Sequence, residues 1–131
     1  MSDPVSPSHY KNDSSGLECI QLAEHFNSGL LQQAFQYVWR CEEKNGDEDL
    51  KKALWFIGRE SDFRNEHKGG RPRGHLKEGV DLFVEWRVRV KSDLRAAALA
   101  LLWRLDSDPS RNHLDFFTVA EVISGLMEGK R

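Results

Sequence analysis

Only two cysteines, Cys19 and Cys41, occur among the 131 residues, and no CxxC or Cys/His cluster accompanies them. That argues against a thiolate metal site, and no metal-ligating residue is assigned. Each cysteine falls on or beside the apolar stripe of a predicted helix and reads as a small buried hydrophobe. The longest apolar run, residues 96–103, is too short to span a bilayer, and the chain shows no signal-peptide pattern. A soluble, cytoplasmic protein with no membrane partner is expected. The GxxxxGK[ST] phosphate loop, GxGxxG, HExxH and GxSxG are all missing, which removes the standard machinery those motifs mark. Ser8 and His9 are adjacent, but no third member of a nucleophilic triad presents itself.

Net charge is also small, −2, which gives no global case for nucleic acid. Its distribution is uneven. Residues 1–66 hold 7 basic and 12 acidic side chains, and residues 67–131 hold 12 basic and 9 acidic. The halves can attract each other, or an anion can sit on the second. A 39% apolar content supports one modest core in one domain, and 31% charged residues make a heavily ionised surface.

The pattern predicts an all-α fold: a helical hairpin core with additional C-terminal helices. Residues 1–16 read as an extended lead-in stiffened by Pro4 and Pro7. A helical core follows over 17–66, then a Gly/Arg-rich loop over 67–75. Residues 76–131 form the C-terminal helical part of the same domain. Within the core, LECIQLAEHF carries a first rough helical stripe. A second helix is expected over 30–44, with Leu31, Ala34, Phe35, Val38 and Cys41 on one face and Gln33, Gln36, Tyr37, Arg40 and Lys44 on the other. Asp47 is the expected N-cap of a third helix, which pairs antiparallel with the second. Residues 80–90 alternate strictly from Val80 to Val90, as in a strand. The stretch also carries apolar residues at helical spacing. A lone strand has no partner for its backbone groups, so a helix is expected; strand pairing between two copies is the competing reading. Two more helices are expected, over 94–105, capped at Ser92-Asp93, and over 116–127.

Three polar groupings are candidates for chemistry. The row Gln33, Gln36, Tyr37, Arg40, Lys44 suits a phosphate or carboxylate, against the plainer reading of a solvated face. Asp49, Lys52, Phe56 and Glu60 share a face of the third helix; Asp49 and Lys52 read as a surface pair or as a nucleotide contact. The loop HKGGRPRGH offers Lys68, Arg71 and Arg73 among glycines. It reads as a flexible linker, as a phosphate-wrapping loop, or as a segment similar to a minor-groove arm, with acidity against DNA.

DPVSPSHYK, GLECIQLAEHF and QAFQYVWRCEEKNGDEDLKKALWFIGRE, in that order, resemble the small phage-encoded SaV-like family. Its pattern runs PxHY, then G-(I/L)-E-x-I, then GN-x-x-KY-x-x-R, then a Lys followed by DL-x-KA-x-W/Y. Pro7, His9 and Tyr10 fit the first element, and Gly16, Glu18 and Ile20 the second. Tyr37 and Arg40 fit the third; Lys44, Asp49, Leu50, Lys52, Ala53 and Trp55 fit the fourth. The resemblance covers residues 3–60. Gln32-Gln33 replaces the family's Gly-Asn, and Gln36 its Lys, which bears on catalysis more than on fold.

The characterised branch of that family is a phage nucleotide kinase. The resemblance therefore implies phosphoryl transfer from a nucleoside triphosphate to a (deoxy)nucleoside monophosphate without a P-loop, in an infected host's cytoplasm. It implies His9, Arg40 and Lys52 as catalytic residues. Tyr10, Glu18, Gln36, Tyr37, Lys44, Asp49, Arg71 and Arg73 are the expected substrate-binding residues. No cofactor is named by the sequence; Mg²⁺ stays open, with no ligand set evident. The alternatives are a non-catalytic nucleotide-binding or host-inhibiting protein and an all-α nucleotide pyrophosphohydrolase. Trp39, Trp55, Trp86, Trp103 and the apolar run 96–103 suggest a homo-oligomer. DNA and host-protein partners are not favoured.

Overall fold

In a computed structural model, residues 13–43, 45–110 and 113–128 are described. Six helices follow one another: α1 Cys19–Ala23, α2 Gly29–Trp39, α3 Gly46–Glu66, α4 Lys77–Arg89, α5 Leu94–Ser107 and α6 His113–Met127. Among the described residues there is no strand, and the fold is all-α.

Local chemistry explains the helix starts. The Ser28 hydroxyl accepts from the Leu31 N–H at 3.1 Å, and the Asp93 carboxylate accepts from the Ala96 N–H at 2.9 Å. The N-cap of α3 is Asn45 rather than Asp47. Asp47, Glu48 and Asp49 sit in the first turn instead, where their charge favours the positive end of the helix dipole. α1 is a turn and a half, shorter than its stripe suggests. α2 stops at Trp39, with Arg40 as its C-cap, so the expected polar row ends there.

α2 and α3 pack as the expected hairpin, α5 and α6 pack together, and α3·α6 and α2·α5 contacts close a four-helix ring. α1 bridges α2 and α4. Leu22, Leu31, Phe35, Leu50, Leu99, Leu102, Ile123 and Leu126 are fully buried in one core drawn from both halves of the chain. Cys19 and Cys41 are free thiols within it, and burial pushes the Cys19 thiol up to about 12.

α4 settles the strand-or-helix question. Gly79, Trp86 and Val90 face inward, a helical spacing. A Cβ at Gly79 would stand 2.8 Å from the His25 ring, so only glycine lets α4 lie this close behind α1. The alternation instead leaves Leu76, Val80, Val84 and Val88 as an outward row, 72%, 41%, 54% and 79% exposed. They sit four residues apart, so they line one side of the helix.

The tryptophans do not form an external surface. Trp39 and Trp86 lie 6.3 Å apart, and Trp103 stacks on Phe83 at 4.9 Å. Residues 96–103 are packed within the same core. Trp39, Trp86, Trp103 and the run 96–103, on which the sequence suggested an oligomer, are therefore packed inside one chain. Trp55 alone of the four is exposed. Among the described residues, no helix is long and apolar enough to cross a membrane.

Candidate functional site

The α2–α3 hairpin brings four of the predicted residues together. Arg40, at the end of α2, donates from Nε and Nη2 to the two Asp49 carboxylate oxygens at 3.2 and 3.3 Å. Asp49 is buried, so it holds the guanidinium in a fixed place. The Arg40 guanidinium carbon lies 4.8 Å from the Tyr37 ring centroid, and Lys52 Nζ lies 5.5 Å from it. Phe56 stacks on Tyr37 at 5.9 Å with a 17° interplanar angle. One α3 turn away, Trp55 is exposed, with the Arg59 guanidinium 6.0 Å from its ring. This face thus mixes aromatic rings with cations from two helices. Asp49 pairs with Arg40, not with Lys52 as the sequence suggested.

The other predicted residues fall elsewhere. Gln36 is half-buried on α2. Glu18 heads α1, where its N–H donates to Gln21 Oε1 at 2.8 Å in a reciprocal capping box. His9, Tyr10 and Lys44 lie outside the described residues. Arg71 and Arg73 lie beyond the far end of α3; Glu60, which Arg71 bonds, is about 12 Å along the axis from Lys52, and Arg64 about 18 Å.

At that end, sequence reasoning missed a buried polar centre. Glu60 is fully buried. It accepts from Arg64 Nε at 2.9 Å, Arg71 Nε and Nη2 at 3.0 and 2.7 Å, and Ser28 Oγ at 2.8 Å. Burial raises its pKa, but the bonds from Arg71, Arg64 and Ser28 outweigh burial and hold the carboxyl below its ordinary range. Arg73 pairs with Asp108 at 3.1 Å, and the Gly74 N–H donates to the Ser107 carbonyl at 2.8 Å. The loop is therefore pinned along its length and is not a free linker. Beside it, His75 Nε2 lies 2.6 Å from Asp106 Oδ2, with both side chains buried. Asp106 also accepts from the N–H groups of Asn27 and Ser28 at 2.7 and 2.9 Å, tying the α1–α2 turn to the end of α5. Only the i,i+4 spacing of Glu60 and Arg64 hinted at any of this.

A second missed centre joins the start of the described chain to the bundle. Asp13 Oδ2 accepts from Trp86 Nε1 at 2.9 Å and from Arg95 Nη1 at 3.1 Å. Arg95 Nε donates to the Trp39 carbonyl at 2.9 Å. Burial raises the Asp13 pKa; bonds from Ser15 and Trp86, with the Arg95 charge, bring it below normal. Two depressed carboxyls fix a pH dependence. Their stabilisation is complete above the unfolded values, about 3.9 for Asp and 4.3 for Glu, and is lost as pH falls through the lower folded values. Tm measured from pH 7 downward is expected to hold to about pH 5 and then fall steeply below about 4, with a shallower fall in Glu60→Gln. Equal slopes in the two proteins would contradict the Glu60 contribution.

Among the described residues, no group of three His, Cys, Asp or Glu side chains is placed to hold a metal ion.

Residues 5–58 match the model of a family described as a protein of unknown function, DUF3310. The match covers the α2–α3 hairpin through Gly58, including Tyr37, Arg40, Asp49 and Lys52, and stops before Glu60 and the Gly/Arg-rich loop. No curated protein and no solved structure matches the chain.

Proposed function

We propose that the protein is a nucleotide kinase that uses the α2–α3 face. It would transfer the γ-phosphoryl group of a nucleoside triphosphate to a (deoxy)nucleoside monophosphate. The bond from phosphorus to the leaving diphosphate oxygen breaks and a bond to an acceptor phosphate oxygen forms, giving two diphosphates. The observation that carries this reading is the Tyr37 ring, backed by Phe56 and flanked by Arg40 and Lys52. A base can stack on such an aromatic surface while the cations meet phosphate oxygens. In phosphoryl transfer, catalysis consists largely of placing charge against the transferring oxygens, and Arg40 is pre-oriented by Asp49.

The anchor at Asp13 supports roles for His9 and Tyr10. Arg95 links Asp13 to Trp39, the residue before Arg40. Tyr10 is three residues from Asp13, a chain reach of about 10 Å. The resemblance of the PSHY element to the SaV-like pattern adds to this reading, as does its phage context.

A second reading, a nucleotide binder without turnover, is favoured by one observation. Arg40 donates twice to Asp49, which offsets its charge; in addition, Gln36 stands where the SaV-like pattern has lysine. A homo-oligomer remains part of the proposal, its candidate surface now the α4 row.

The test combines thermal shift and turnover with nucleoside mono- and triphosphates, with and without Mg²⁺. Diphosphate formation is expected, reduced about 100-fold by Lys52→Ala. Lys52 is exposed, so its loss leaves the fold intact. A Tm shift without product would select the binder. No shift and no product would sink both readings.

A further inference from the structure

The last turns of α3, the Gly/Arg-rich loop and the start of the α5–α6 connection enclose a cavity of about 380 Å³. Arg64, Lys68, Gly70, Arg71, Ser110 and Phe116 are among its lining residues, and among the described residues no carboxylate lines it. The nearby acids are accounted for. Glu60 lies behind the wall, shared by Arg64 and Arg71; Asp108 pairs with Arg73, and exposed Glu66 lies 3.9 Å from His67. Three lining cations against buried Glu60 and exposed Glu66 leave one positive charge in excess. The carbonyls ending α3 oppose an anion with about half a charge, which is smaller.

Arg71 is built in as a fixed donor. Nε and Nη2 are held by Glu60, and its guanidinium carbon sits 3.8 Å from the Phe63 ring centroid. Nη1 has no hydrogen-bond partner among the described residues, and neither has Lys68 Nζ. The loop can turn back here because residue 70 is glycine. A Cβ there would stand 2.9 Å from the His67 carbonyl oxygen. A guanidinium whose orientation is set before binding loses little freedom on meeting an oxyanion.

We propose that this cavity is a second anion site, taking the phosphate chain of an oligophosphate through Arg71 Nη1 and Lys68; the Ser110 hydroxyl is already donated to Asp108. It does not depend on the α2–α3 face. At about 18 Å along α3, its ligand is too far from that face to exchange a phosphoryl group within one chain, since reacting atoms must come within about 3–3.5 Å. Its ligand instead joins Lys68 to the Arg71 guanidinium, and saturation raises Tm. The phosphate chain could be free or belong to a nucleotide.

The experiment is calorimetric titration of the full chain carrying Lys52→Ala, which weakens phosphate contact at the α2–α3 face, with tripolyphosphate, beside the same chain carrying Lys68→Glu as well. Lys68 is exposed, so its replacement does not disturb the Glu60 centre. Lys68→Glu is expected to weaken that binding at least about tenfold, the worth of one charge-assisted bond. Displacement of tripolyphosphate by ATP would identify nucleotide phosphates as a source, and failure to displace it a free oligophosphate. No binding by the Lys52→Ala chain, or equal affinity with and without Lys68→Glu, would overturn the proposal.

Discussion

Glu60→Ala is expected to lower the unfolding free energy by about 3–5 kcal/mol, the usual cost of removing one partner from a buried ion pair. The reason lies in what remains. Arg64 is almost wholly buried, and its Nη1 and Nη2 reach backbone carbonyls of Asp108 and Leu105, so it cannot swing out to water without breaking the α3–α5 joint. Arg71 is one-fifth exposed and relaxes more easily, which keeps the loss toward the lower end. Ser28 also loses its hydroxyl acceptor while still capping α2. Against a total stability of about 5–15 kcal/mol, this is a large fraction. The denaturant midpoint should fall strongly, and Glu60→Gln, which keeps an acceptor oxygen, should fall less. A loss under about 1 kcal/mol would mean that water replaces the carboxylate and that the centre behaves as a surface pair.

Trp86→Ala should cost a similar amount, about 3–5 kcal/mol, by a different route. Trp86 is fully buried between Trp39 and Phe83, at 6.3 and 5.7 Å, so truncation opens a cavity under α4. It also removes the indole donor to Asp13. The two contributions can be separated. Trp86→Phe retains the larger part of the ring volume but loses the bond and leaves a smaller cavity, so about 1–3 kcal/mol is expected. If Trp86→Phe were as damaging as Trp86→Ala, the indole bond rather than packing would dominate.

The helices were legible because their signals are local. Ser28 and Asp93 cap where such residues cap, and the α2 stripe Leu31, Ala34, Phe35, Val38 is buried as its spacing requires. α4 was harder because two periods overlap in it, and only the neighbours of Gly79, Trp86 and Val90 decide which one faces inward. Of the candidate site, Tyr37, Arg40, Asp49 and Lys52 were readable because they lie on two helices joined by a short turn. Glu60 with Arg71, His75 with Asp106, and Asp13 with Arg95 were not. Their partners are 11, 31 and 82 residues apart, and nothing in residue type announces a pairing made by tertiary packing.

The four-helix ring has a consequence for any attempt to handle the DUF3310 segment as a module. α2 and α3 turn their apolar faces toward α5 and α6, and the carboxylate that neutralises Arg64 and Arg71 lies two residues beyond the matched span. A fragment cut at Gly58 would display a raw hydrophobic interior. A chimera that grafts a DUF3310 segment from another protein onto this second half would have to match it in side-chain volume along the whole seam. The recurring part and the remainder are two sides of a single mould, transplantable only together.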